Sequence, residues 1–269
     1  MSVEIISSAQ NPRIKHLLAL QQKSSLRRQE GLFVVEGRRE LEHCIHAGMD
    51  IECIYCLDPD TVGDVSYNIV QVSPNVYERI AYRGSTEGLI AVIRSPQPRT
   101  LESLLLQKGR GVNGQPLFVV LERVEKPGNL GAVLRSADAS QATGVIVCDP
   151  LTDLYNPNLI RSSLGAVFTV PTVVCNSEQC ITFLKQNGIQ ILTAQLQDSR
   201  LYYDTPMTSP TAIVMGTEST GLTDVWRMAA DAHIRIPMLG QLDSLNVSVS
   251  AAILLFEAVR QRHLSCMQH

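Results

Sequence analysis

No stretch of this chain is long and apolar enough to cross a bilayer: the longest uninterrupted run, Ala251 to Phe256, is six residues, against the roughly 18 that a span needs. Low-complexity tracts and internal repeats are missing too, which excludes fibrous and solenoid classes. The first residues, Met-Ser-Val-Glu-Ile-Ile-Ser-Ser, lack the basic and then apolar regions of a secretory signal. Seven cysteines, an odd number dispersed along the chain, fit reduced thiols better than a disulfide framework. A cytoplasmic protein with no membrane partner is expected. A general excess of positive charge is also absent, the formal net charge being −3, so this is not a uniformly basic nucleic-acid binder. The distribution is less even than the total. Between Met1 and Arg39 seven Lys or Arg stand against three acids, and that end can face a phosphate backbone.

What is present is an ordinary globular composition, 45% hydrophobic and 18% charged, over 269 residues, long for one compact domain and comfortable for two. Apolar spacing from Ile14 to Leu26 after Asn11-Pro12 predicts a helix, followed by a strand to Glu36, a helix from Arg38 to Ala47 and a strand from Ile51 to Leu57. Ile69 to Val72, Asn75 to Tyr82 and Gly88 to Arg94 complete a small α/β unit over residues 1–95. Prolines and glycines between 96 and 116 predict a linker region holding one short helix, Leu101 to Gln107. From Leu117 to the end, strands at Leu117–Leu121, Val145–Cys148, Phe168–Val170, Ile189–Ala194, Ala212–Met215 and His233–Ile236 alternate with helical spacing. Such alternation predicts a mostly parallel sheet over 117–269.

Three segments carry the chemistry. Gly128-Asn-Leu-Gly-Ala-Val-Leu-Arg135 follows a strand and opens a helix whose free amides can meet an anion or polar group, with Asn129 read as its cap and Arg135 about two turns in. Its glycine spacing is not Gly-x-Gly-x-x-Gly, which argues against a nicotinamide-dependent enzyme. Ile213-Val-Met-Gly-Thr-Glu-Ser-Thr-Gly-Leu222 is a buried strand running into a polar turn. Its Gly216 permits close backbone approach, and Glu218 lies at the carboxyl end of the strand, where parallel sheets bind ligands. Glu218 is read as accepting from a ligand hydroxyl or holding Arg135. The third runs from Ile234 to Ile253, a strand broken by Pro237 and Gly240, then a polar turn through Asp243, Ser244 and Asn246, then a helix from Val247. A turn so polar between two apolar elements is costly to bury unsatisfied.

In order and spacing, Pro127 to Asp138, Val214 to Leu222 and Ile234 to Ile253 resemble the three motifs of the SpoU/TrmH family of RNA ribose 2′-O-methyltransferases. The resemblance implies a deep trefoil knot that holds S-adenosylmethionine, and a homodimer whose active sites are each completed by the neighbouring subunit. By motif position it implies that Gly216, Ile236, Met238, Leu245 and Asn246 line the cofactor slot, with Asn129, Arg135, Glu218, Ser244 and Asn246 around the reacting ribose. Tyr155 to Ala166 resembles a further family segment through Arg161, Ser163 and Gly165, while Asn158 stands where a lysine is common. Ser8 to Lys15 and Gly31 to Arg38 resemble the α/β/α, ribosomal-protein-like substrate-binding extension of rRNA-directed members. The implied substrate is therefore 23S rRNA, ahead of tRNA, with Arg13, Lys15, Arg27, Arg28, Arg38 and Arg161 as RNA contacts. A non-catalytic RNA-binding or ribosome-assembly factor is the alternative from another class. His43, Cys44, His46, Cys53 and Cys56 cluster in the chain, but the odd separation of Cys53 from Cys56 puts them on opposite faces of a strand. No metal is expected.

Overall fold

The computed structural model describes residues 4–63, 67–82, 87–107, 110–217 and 220–266, with side chains to 263. In chain order the first elements are β1 (Glu4–Ile6), α1 (Pro12–Gln22), α2 (Ser24–Glu30), β2 (Leu32–Glu36), α3 (Arg38–His46), β3 (Ile51–Cys56), β4 (Ile69–Val72), α4 (Pro74–Ile80) and β5 (Leu89–Arg94). There follow α5 (Leu101–Leu105), β6 (Leu117–Glu122), α6 (Pro127–Ala139), β7 (Gly144–Cys148), α7 (Pro157–Ser163), α8 (Ala166–Thr169), β8 (Thr172–Cys175) and α9 (Ser177–Gln186). The chain continues with β9 (Gln190–Ala194), β10 (Arg200–Leu201), β11 (Thr211–Met215), α10 (Asp224–Ala229), β12 (Ala232–Arg235) and α11 (Val247–Cys266). These form two compact units, 1–97 with 153–168, and 98–152 with 169–269.

In the first unit a mixed sheet is ordered β1-β4-β3-β5-β2. Ile14, Leu17 and Leu20 place one stripe of α1 against Val34, Cys53, Tyr55, Val70 and Val92 of the sheet, all buried. On strand alternation Cys56 lies on the face opposite Cys53 and Tyr55. The helix expected from Ile14 to Leu26 is two helices, because Lys23 adopts extended backbone between them. Gly31, with φ 63°, then turns the chain into β2. Residues 153–168 pack in this unit: Tyr155 stacks on Phe33 with ring centroids 4.2 Å apart, and Phe168 lies 6.0 Å from the same ring. The strand expected at Phe168–Val170 is therefore corrected. Residues 166–169 are the helix α8, and the strand begins after Pro171, where Thr172–Cys175 pairs with β7.

The second unit is a parallel seven-stranded sheet ordered β10-β12-β9-β11-β6-β7-β8. On one side Leu104 of α5, Phe183 and Leu184 of α9 and Trp226 of α10 close a core over Phe118, Val120, Ile146, Ile191 and Val214. Leu104 thus makes part of the expected linker a piece of this core. Alternate strand residues and the packed pair α6 and α11 form the other layer, with Leu130, Val133, Leu134, Leu254 and Leu255 buried. The short strands β1 and β10 were not foreseen, being three and two residues long and too short to show a period.

Two buried polar groups fasten this second unit. Glu122, 3% exposed at the end of β6, accepts from Thr223 N at 2.8 Å, Thr223 Oγ1 at 2.6 Å and Ser177 Oγ at 3.4 Å. Ser177 Oγ has one hydrogen, given mainly to Asp149 at 2.7 Å and shared only weakly with Glu122, and it accepts from Trp226 Nε1 at 3.0 Å. Glu122 thereby fixes the entry of α10, and Asp149, which also accepts from Ser177 N at 3.1 Å, fixes that of α9. Arg262, 1% exposed near the end of α11, donates to the carbonyls of Met207 (2.9 Å), Gln115 (2.7 Å), Pro116 (3.1 Å) and Ser209 (2.8 Å). Burial pulls its pKa down to about 10, which leaves it charged at neutral pH. Arg262→Met removes all four bonds and is expected to destabilise the chain by about 3 kcal/mol or more in chemical unfolding. A change below about 0.5 kcal/mol would show that the carbonyls are satisfied without it.

Candidate functional site

The second unit gathers strand carboxyl ends at a cleft of about 350 Å³, a size in the range of small-ligand pockets, about 300–1,000 Å³. Ala194 and Gln195 enter from β9, Met215 and Gly216 from β11, and Ile234 to Ile236 from β12. Met238, Asp243, Ser244 and Leu245 close it from the connection to α11. A second recess of about 230 Å³ opens beside it, lined by Leu121, Glu122, Asn129 and Thr217. Gly216 and Val247 line both. The carboxyl end of a parallel sheet is where such folds bind ligands, because successive strands end there in loops that leave a crevice.

Local chemistry explains how the three segments meet. At Gly216 an added Cβ would lie 2.2 Å from the carbonyl oxygen of Gly221 and 2.5 Å from Leu222 N, so only glycine admits this turn. The turn is held by Gly221 N donating to Thr217 O at 3.0 Å and by a 2.8 Å contact between the hydroxyls of Thr217 and Thr220. Asn246 Oδ1 accepts from Ser248 N at 2.9 Å and Ser248 Oγ at 2.6 Å, which caps the start of α11. Its Nδ2 donates to Asn129 Oδ1 at 3.1 Å. One asparagine thus both starts α11 and ties it to α6.

The structure brings together Gly216, Ile236, Met238, Ser244 and Leu245 around the larger recess and joins Asn129 to Asn246 beside it. Asn129 is not a helix cap, as the sequence suggested. α6 begins two residues earlier, at Pro127, after the cap residue Lys126. Arg135 is exposed on α6, and among the described residues the lining of neither recess includes it. Glu218 lies outside the described residues. Three polar groups were missed. Gln195 Oε1 and Arg227 Nε, from residues lining the larger recess, are buried with no hydrogen-bond partner among the described residues, and Glu122 faces the smaller one. A buried polar atom lacking a partner is costly, and a bound ligand is one way to satisfy it. Gln195 follows β9 directly, a signal available in the sequence, whereas nothing there marks Arg227.

In the first unit Lys15, Arg28, Arg38 and Arg161 are exposed. Arg27 is not: 4% exposed, it pairs with Asp153 at 2.6 Å and donates to the carbonyls of Leu20 (2.6 Å) and Gln21 (3.0 Å). Its guanidinium is engaged in holding residue 153 to α1, which leaves no phosphate-binding face. Arg13 is half-buried, paired with Glu4 at 2.6 Å and set 5.6 Å from the centre of the Tyr55 ring. A recess of about 420 Å³ in this unit joins Glu36, Gly37 and Arg39 to Tyr82, Pro157 and Arg161.

A ligand cleft at the strand ends of a parallel sheet, beside two joined asparagines, defines an α/β ligand-binding domain carrying a second, smaller α/β unit. Residues 116–256 match the SpoU rRNA Methylase family, and residues 11–91 match the MRM3-like substrate binding domain. The 23S rRNA (guanosine-2′-O-)-methyltransferase RlmB of Ralstonia nicotianae is 34% identical over 194 residues, 72% of this chain and 78% of the relative. A crystal structure of an RNA 2′-O ribose methyltransferase superposes with a TM-score of 0.82 at 39% identity, covering 96% of this chain and 99% of that one. An AdoMet-bound rRNA methyltransferase from Sinorhizobium meliloti gives a TM-score of 0.86 at 28% identity, covering 96% and 98%. The chain belongs to the SpoU rRNA methylase family.

The Gly216 geometry yields a direct test. Gly216→Ala forces the Gly221 carbonyl away from the cleft floor, at about 1–3 kcal/mol for such overpacking. Calorimetric titration with S-adenosylhomocysteine should then show affinity weakened at least tenfold, whereas an unchanged Kd would contradict the close approach.

Proposed function

We propose that this chain transfers the methyl group of S-adenosylmethionine to the 2′-oxygen of a ribose in 23S rRNA. The observation that carries the reading is the convergence of three sequence segments on two adjoining recesses that share Gly216 and Val247, with Asn129 bonded to Asn246 beside them. The cofactor fits the residues present. Ile236, Met238 and Leu245 offer apolar contact to an adenine, while Gln195 Oε1 and Arg227 Nε are buried polar atoms in want of partners. When bound, the cofactor supplies a methyl on a sulfonium, so the leaving group is activated before the ribose arrives.

The protein then has to orient the hydroxyl and receive its proton. Asn129 and Asn246 hold the α6 and α11 entries at a fixed separation, with Ser244 in the adjoining turn. Glu218 accepts from the ribose hydroxyl or holds Arg135 in place. Arg135 is essential: its planar, multiply donating guanidinium steers the target phosphate and stabilises the forming alkoxide more readily than it removes a proton. The RNA ligand is a loop or single-stranded nucleotide, met in the first unit by Lys15, Arg28, Arg38 and Arg161. Support for 23S rRNA over tRNA comes from the substrate-binding family match over residues 11–91 and from the named substrate of the Ralstonia relative. Domain limits of 1–95 and 117–269, a knotted C-terminal chain path, a homodimer in which the neighbour completes the site, and a cytoplasmic location belong to the same proposal.

Incubation with labelled S-adenosylmethionine and either unmodified 23S rRNA or bulk tRNA tests it. Label at one alkali-resistant position of 23S rRNA is expected. Label in tRNA alone would overturn the substrate, and no label in either would favour a non-catalytic RNA-binding factor. Arg135→Ala is expected to lose roughly 100-fold or more in kcat/KM while cofactor affinity changes less than threefold. Near-normal turnover would remove Arg135 from the mechanism.

A further inference from the structure

A second cluster of reactive side chains lies in the same unit. β7 ends on Cys148 and β8 on Cys175, and the parallel register pairs these two residues directly. Cys180 comes from α9, whose N-terminus faces the same sheet edge as the ends of β7 and β8. The three sulfur atoms lie within 4.8 Å of one another, and Cys148 Sγ and Cys175 Sγ are 3.9 Å apart. Metal–thiolate bonds of about 2.3 Å put sulfurs at the corners of a tetrahedron or triangle about 3.8–4.0 Å apart, so the observed spacing needs little adjustment. Cys148 and Cys180 are fully buried, in a core that includes Phe183 and Trp226, whereas Cys175 is partly exposed. A surface groove lined by Leu101, Val173, Cys175 and Gln179 reaches Cys175 from solvent, which supplies an entry path.

We propose that Cys148, Cys175 and Cys180 form a three-thiolate site for a thiophilic d10 cation. An all-sulfur donor set selects soft or borderline ions such as monovalent copper and zinc over magnesium, calcium or manganese. Three protein ligands suffice for monovalent copper, and zinc takes a water as its fourth ligand on the exposed side of Cys175. Binding replaces S–H bonds with metal–sulfur bonds and releases the protons to solvent, with no change of oxidation state. The positive end of α9 favours the thiolate charge that remains. This site is separate from the Cys44 to Cys56 cluster considered in the sequence. It borders the polar network instead, since Asp149 and Ser177 lie beside Cys148 and Cys175 in the chain and are bonded to each other at 2.7 Å.

The full chain, purified reduced and metal-free, should bind one equivalent of zinc or of monovalent copper in competition with a chromogenic chelator. Which of the two binds more tightly identifies the cation. Cobalt substitution should give sulfur-to-cobalt charge-transfer bands, and a saturating ion should raise Tm by roughly 5 °C. Cys175→Ser, at the partly exposed position, should keep the native circular dichroism and lose at least 100-fold in affinity, and Cys53→Ser should change neither. Absence of stoichiometric binding to either ion, or binding that survives Cys175→Ser in the folded protein, would overturn the site.

Discussion

A buried carboxylate at the end of one interior strand is the constraint on which the second unit depends. Glu122 can stay in the core only because backbone and hydroxyl donors surround it, from Thr223 and Ser177. Satisfying that charge fixes where α10 begins and, with Asp149 on the shared Ser177 hydroxyl, where α9 begins, and so where the loops beyond β7, β8 and β11 run. The same residue lines the recess beside Asn129 and Gly216. The polar framework of the sheet and the wall of the site are therefore one structure, and a change at Glu122 reaches both.

Much of this was legible in the chain. Alternating strand and helix patterns predicted a parallel sheet, and β4 was located to the residue because Ile69 to Val72 is bounded by polar and turn residues. Gly216 and Asn246 stood out because each solves a local problem, a backbone approach in one case and a helix start in the other. Other features depend on partners far away in sequence. That Arg27 is buried follows from Asp153, which lies 126 residues away, and residues 20 to 30 do not reveal it. Phe168 reads as a strand residue until Phe33 gives its ring a stack and Pro171 delays the strand. Arg227 looks like an ordinary surface residue until folding buries its Nε with no partner among the described residues.

Membership of the SpoU rRNA methylase family gives these features a common use. Several strands end at one cleft, which sets the apolar side chains of Ile236, Met238 and Leu245 beside polar atoms of Gln195 and Arg227. The glycine at its floor lets backbone reach where a side chain would block. The smaller unit contributes exposed basic residues at Lys15, Arg28, Arg38 and Arg161, on a chain whose total charge is slightly negative. Positive charge is thus local to that unit rather than general.

The most direct measurement is a crystal structure of the full chain with S-adenosylhomocysteine. Density for the ligand against Ile236, Met238 and Leu245, with polar groups meeting Gln195 or Arg227, is the predicted result. Density at another site, with the Gly216 cleft holding only solvent, would contradict the account.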